Sequence, residues 1–130
     1  CSSDLMAEQL VQANPKSLPH LQLLQKVYLL SQQFEKLQAV IDHTLSIDKY
    51  HFRSLINQSY LLQREGRYAE AIQPMELAFR LKPFNLEVAE KLYELYVRDN
   101  RDTTQLQAQL EDLRKKFGRY SSKFQINLPD

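Results

Sequence analysis

The residues of this chain with the widest chemical repertoire are three histidines, one cysteine and two glycines, and their spacing limits what they can do. None of His20, His43 and His51 stands three or four residues from another. That is the spacing that puts two metal ligands on one helix face, and no cysteine pair joins them, so no zinc site is expected. With Gly66 and Gly118 the only glycines, there is no phosphate loop and no dinucleotide fingerprint. Neither Ser54 nor Ser59 lies on a nucleophile elbow. Asp42 beside His43, and Asp48 near His51, are acid–base pairs of a kind usually solvated on a helix surface. The pattern points away from catalysis, and neither a cofactor nor a small-molecule substrate is expected.

Cys1 offers a different chemistry. It is the only cysteine, so it has no partner for a disulfide within the chain. Cys1, Ser2 and Ser3 resemble the mature end of bacterial lipoproteins, in which the first cysteine carries a thioether-linked diacylglycerol and an acylated amine. The resemblance implies anchoring: each buried methylene is worth about 0.8 kcal/mol, one acyl chain holds weakly and several hold durably. Ser2, where some lipoproteins carry aspartate, resembles the signal for export to the outer membrane. The expected location is therefore the periplasm-facing side of a Gram-negative outer membrane. The alternative, in which Cys1 is only a chain boundary, leaves the protein in the cytoplasm.

Charge says little about partners. Lys and Arg total 17 against 16 Asp and Glu, for a net charge of +1. The run Arg114-Lys115-Lys116 with Arg119 and Lys123 reads as a solvated helix end whose cations complement the helix dipole, so no nucleic-acid partner is expected. The longest apolar runs are far short of the ~20 residues that a membrane-spanning helix needs.

The elements that must position any functional side chain are helical. The chain is rich in Leu, Gln, Glu and Lys and poor in glycine. Apolar periodicity places helices near 3–13, 18–31, 34–47, 51–65, 68–81, 85–99 and 103–117. Ser17 before Leu18-Pro19 reads as an N-cap with proline in the first turn, and Asn85 before Glu87 and Glu90 as a capped, acid-rich start. From Gly118 the pattern breaks: Phe124, Ile126 and Leu128 alternate with polar residues and predict an extended tail, expected to cover the last repeat's open apolar end.

The segment from Glu65 to Phe79 (EGRYAEAIQPMELAF), followed by Leu81 and Pro83, resembles the second half of a tetratricopeptide repeat. That family has a period of ~34 residues. At that step Pro15, Lys49 and Pro83 share a register, as do Tyr28, Leu62 and Tyr96; Leu21, Leu55 and Ala89; and Gln32, Gly66 and Asn100. Leu24, Gln58 and Leu92 share the leucine slot, where Gln58 departs from the pattern. Small Ala71 and Ala78 suit a close helix contact, and Leu55, Leu62, Met75 and Leu81 are expected to fill the space between repeats. Gly66 suits a left-handed helix end. A one-residue insertion between Asp99 and Thr103 restores an apolar face through Leu106, Leu110, Leu113 and Phe117.

The resemblance implies an all-α, right-handed superhelix of antiparallel helix pairs forming one domain over 1–130. Its parts are an anchor end and half-repeat capping helix (1–17, with Leu5, Met6, Leu10 and Val11 on its apolar face), repeats at 18–51, 52–85 and 86–119, the last degenerate, and the tail 120–130. It also implies that the first helix of each repeat lines a concave groove. Carried onto this sequence, the groove residues are Gln22, Lys26, Leu29 and Leu30; Arg53, Ile56, Tyr60, Gln63 and Arg64; and Glu87, Glu90, Glu94, Val97 and Arg98. This face grades from basic to acidic, and Glu90 and Glu94 would repel the carboxylate that chaperone-tail clamps of the family bind. Tyr60, between Arg53 and Arg64, is the expected binding centre. The implied function is that of a protein-interaction adaptor, similar to small repeat lipoproteins of the pilotin type that help pilus or secretion channels assemble. The alternatives are a soluble cytoplasmic repeat chaperone and a piece of a longer repeat protein.

Overall fold

In the computed structural model of the chain, residues 2–118 are described. They form seven helices, α1 (Ser2–Ala13), α2 (Leu18–Leu30), α3 (Phe34–Ile47), α4 (Phe52–Arg64), α5 (Tyr68–Leu81), α6 (Leu86–Arg98) and α7 (Thr104–Leu113), followed by a π-helical turn, Arg114–Gly118. No strand occurs among the described residues. Cys1, Arg119, Lys123 and the tail with Phe124, Ile126 and Leu128 lie outside them. Successive helices pack as antiparallel pairs in the tetratricopeptide-repeat manner.

The repeat is written most clearly in the backbone. Gln32, Gly66 and Asn100, one register in the sequence, have φ of 59°, 75° and 55°. Each ends the first helix of a pair with the same two bonds. The amides of Gln33, Arg67 and Arg101 reach back to the carbonyls of Tyr28, Leu62 and Tyr96 at 2.9, 3.0 and 2.8 Å. Those of Gln32, Gly66 and Asn100 reach Leu29, Gln63 and Val97 at 3.2, 2.9 and 3.2 Å. This left-handed closure satisfies carbonyls that would otherwise be orphaned, and it turns the chain sharply into the second helix. The opposite ends share a register too: Ser17, His51 and Asn85 are the N-caps of α2, α4 and α6. Asn85 and His51 accept a backbone N–H through their side chains, while the Ser17 side chain makes no such bond.

Burial follows the same step. Leu37 and Ala71, Ile41 and Met75, and Thr44 and Ala78 are all buried on the second helices; in α7 the equivalent residues are Leu106, Leu110 and Leu113, one position later. The extra residue is absorbed in the loop before α7. Ala71 and Ala78 are fully buried, and the Ser59 hydroxyl of α4 donates to the Ala71 carbonyl at 2.8 Å, an approach that a larger side chain would prevent. Gln58, the departure in the leucine slot, accepts from the Gln38 amide at 2.7 Å across α3 and α4.

Three apolar expectations differ from the structure. Leu81 stands on the last turn of α5 and is exposed, so Leu55, Leu62 and Met75 fill the inter-repeat space without it. The π-helical turn carries Phe117 off the stripe of Leu110 and Leu113, because its wider winding turns each residue less far round the axis than an α-helix does. Phe117 is 44% exposed and its ring lies 6.4 Å from that of Phe84. In α1 the buried residue is Ala7, in the slot of Ile41 and Met75, with Val11 half-buried; Leu5, Met6 and Leu10 point outward.

Candidate functional site

Packing of the second helices against their partners leaves one face of α2, α4 and α6 uncovered. Two cavities open on it. The larger, about 840 Å³, is lined by Leu18, Pro19, Gln22, Leu23, Lys26, Leu29 and Leu30 of α2 with His51, Arg53 and Asn57. The smaller, about 370 Å³, includes Arg53, Ile56, Asn57, Tyr60, Gln63 and Arg64 of α4, Leu29, Phe34 and Met75, and Glu87 and Lys91 of α6. Leu29, Arg53 and Asn57 line both, so the two cavities form one groove across three helices. Cavities of about 300–1,000 Å³ are the size that seats ligand groups.

Of the residues read from the sequence, Gln22, Lys26 and Leu30 line the first cavity, Ile56, Tyr60, Gln63, Arg64 and Glu87 the second, and Leu29 and Arg53 both. Glu90, Glu94, Val97 and Arg98 line neither. Glu90 pairs instead with Arg114 beyond α7 at 3.1 Å. Arg98 lies over the Tyr68 ring at 5.4 Å, the contact that Arg64 makes with Phe34 at 3.8 Å one repeat earlier. Leu23, Asn57 and Lys91, which share one register, line the groove in all three helices, and sequence reasoning missed this slot. The repeat step was the signal that could have found it: any one of the three, once placed, locates the others.

The groove floor is held by a buried polar network. The Gln25 amide donates to Thr44 Oγ1 at 3.0 Å and to Ser54 Oγ at 2.7 Å, while its carbonyl accepts from the Asn57 amide at 2.9 Å. Gln25, Thr44 and Ser54 are fully buried, so these bonds are compulsory and tie α2, α3 and α4 together. They also fix the Asn57 side chain where the two cavities meet. His51 Nδ1 lies 2.7 Å from Ser54 Oγ and accepts the Ser54 amide, which requires that nitrogen to be unprotonated. Burial pushes the His51 pKa below its ordinary value, with Asp48 opposing.

A second repeated contact buttresses the pairs from behind. The Tyr28 hydroxyl donates to Glu8, and the Tyr96 hydroxyl donates to Glu76. Burial and then these carboxylates push Tyr28 well above the ordinary phenol range and Tyr96 up to about 12. In the middle repeat the tyrosine slot holds Leu62 and the acid slot Asp42, which accepts from Gln38 at 2.8 Å.

No protein-family profile and no curated protein matches this sequence. Solved structures do. A crystal structure of MamA protein aligns with a TM-score of 0.75 at 12% identity, covering 90% of this chain and 65% of that one. A second MamA structure gives 0.74 at 9%, covering 92% and 69%, and a third 0.68 at 16%, covering 98% and 68%. This chain thus spans about two thirds of the length of those MamA chains. At such identities the likeness is one of fold, and it places the chain's helix pairs among tetratricopeptide-type arrays.

Proposed function

We propose that this chain is a protein-interaction adaptor that seats a segment of another protein in the groove of α2, α4 and α6. The observation that carries the reading is the apolar wall of the larger cavity. Leu30 is 72% exposed and Leu23 42% exposed there, on a helix that buries Leu21 and Leu24 on its other side. Contiguous exposed leucines in a concave surface mark a site that another molecule covers. Tyr60, 41% exposed between Arg53 and Arg64, supplies the aromatic and guanidinium chemistry in which interface energy concentrates.

The reading extends to location. A lipidated Cys1 would tether the adaptor to a Gram-negative outer membrane, facing the periplasm, where it would assist the assembly or localisation of a pilus, secretion or other envelope complex. The support is the resemblance of Cys1-Ser2-Ser3 to a lipoprotein end. Since α1 begins at Ser2 and Asp4 bonds to Gln33, the anchor would hold the α2–α3 turn beside the bilayer.

A photo-crosslinking residue at Leu30 or Tyr60, compared with one at Gln73, which is exposed on α5, tests the surface. Adducts from the groove positions support the reading; adducts from Gln73 with none from the groove contradict it. Cys1→Ser in the precursor tests the anchor separately: the protein should move to the soluble fraction, and unchanged membrane fractionation would remove the lipoprotein reading.

A further inference from the structure

We infer that the segment docked in this groove carries carboxylates beside its apolar side chains; the inference rests on the groove being the docking surface. Four cations line the two cavities: Lys26, Arg53, Arg64 and Lys91. Glu87 is the one acidic residue among the lining residues. The groove is therefore basic along α2 and α4, and Glu90 of α6 is turned onto Arg114.

The balance of charge separates the groove from the chain as a whole: four cations face one carboxylate in its lining, whereas the sequence carries 17 Lys and Arg against 16 Asp and Glu. Outside the groove Arg67 is bonded to Glu65 and Glu70, Arg101 to Asp99, Arg114 to Glu90 and Lys116 to Asp112, while Lys36, Lys49, Arg80, Lys82 and Arg98 form no ion pair among the described residues. Among the described residues none of the four groove cations forms an ion pair. Arg64 lies over Phe34 at 3.8 Å and Arg53 over Phe52 at 5.9 Å, contacts that orient a guanidinium without neutralising it. Cations with no carboxylate of their own, set beside exposed Leu23, Leu30 and Tyr60, complement an acidic amphipathic segment. The leucine wall argues for apolar side chains rather than a phosphodiester backbone, which would leave Leu18, Leu23, Leu29 and Leu30 in contact with water.

The test uses the full chain and three synthetic peptides that share one apolar helix face and carry Glu, Gln or Lys at every polar position, followed by fluorescence anisotropy. The Glu peptide should bind at least ~10-fold tighter than the Gln peptide, with the Lys peptide weakest, and added salt should narrow the gap. The double variant Lys26→Glu, Lys91→Glu, changed at two exposed residues and checked by circular dichroism, should invert the order. Leu30→Asp should weaken all three peptides. Equal affinity for the Glu and Gln peptides, with Leu30→Asp still weakening both, would overturn the charge inference and leave the docking surface standing. Binding insensitive to Leu30→Asp would overturn both. Displacement of the Glu peptide by an equal concentration of single-stranded oligonucleotide would overturn the acidic-protein partner in favour of nucleic acid.

Discussion

Replacing Gln32 by glycine should make this protein more stable, although it deletes a side chain. Gln32 has φ 59° at the turn between α2 and α3, in the slot that Gly66 fills one repeat later at φ 75°. A side chain in the left-handed region costs roughly 1–2 kcal/mol, because Cβ crowds the following carbonyl. Against this, glycine gives the unfolded chain extra freedom worth roughly 0.5–1 kcal/mol. The net gain for Gln32→Gly is about 0.5–1 kcal/mol. Gly66→Ala should lose about the same amount, and for a backbone reason alone, since a Cβ there meets nothing within 4 Å. Asn100→Gly, at φ 55°, should gain less, because asparagine tolerates this region better than glutamine. Urea unfolding followed by circular dichroism reads all three as midpoint shifts at constant m-value. A destabilised Gln32→Gly beside an unaffected Gly66→Ala would show that the turns are not equivalent, and the repeat account of them would fail.

Other single contacts carry expectations of their own. Ala71→Arg and Ala78→Arg should each cost more than about 3 kcal/mol or prevent folding, since both sites are fully buried between helices; wild-type-like thermal melts would refute the packing. Because the folded-state pKa of His51 lies below the unfolded value, the unfolded chain binds the proton more tightly. Stability should then be complete above about pH 6.5 and fall as the pH drops from there toward the folded pKa. His51→Asn keeps an N-cap acceptor without a titrating ring, and it should flatten that slope; an unchanged slope would assign it to other groups. Tyr60→Ala should weaken partner binding by about 2 kcal/mol with the fold intact, and Arg64→Glu should mainly slow association, both read by titration and stopped flow.

The fold was legible because tetratricopeptide packing is local and periodic. The same turn geometry recurs at Gln32, Gly66 and Asn100, and the buried faces recur with it, so apolar periodicity located helices whose ends agree with the structure to within one residue, apart from the end of α7, expected at 117 and found at Leu113. What sequence reasoning missed depends on contacts between elements. Gln25 goes unremarked in the sequence, because its task depends on α3 and α4 bringing Thr44, Ser54 and Asn57 around it. Phe117 continues an apolar stripe on paper, and only the change of winding after Leu113 takes it to Phe84. His51 reads as half of a solvated surface pair with Asp48, whereas its place with Ser17 and Asn85 in the cap register gives it a structural task. In the groove, the residues placed by the family slots on α2 and α4 line the two cavities. On α6 only Glu87 does so, while Lys91, outside those slots, lines the groove and Glu90 turns to Arg114 beyond α7.

The most direct test of the central claim is a structure of the protein bound to the partner captured by its groove crosslink. The account predicts a segment lying across α2, α4 and α6, with apolar side chains against Leu23 and Leu30, carboxylates within ion-pair distance of at least two of Lys26, Arg53, Arg64 and Lys91, and contact with the Tyr60 ring. A partner seated on α3, α5 and α7, with the groove open to solvent, would contradict it.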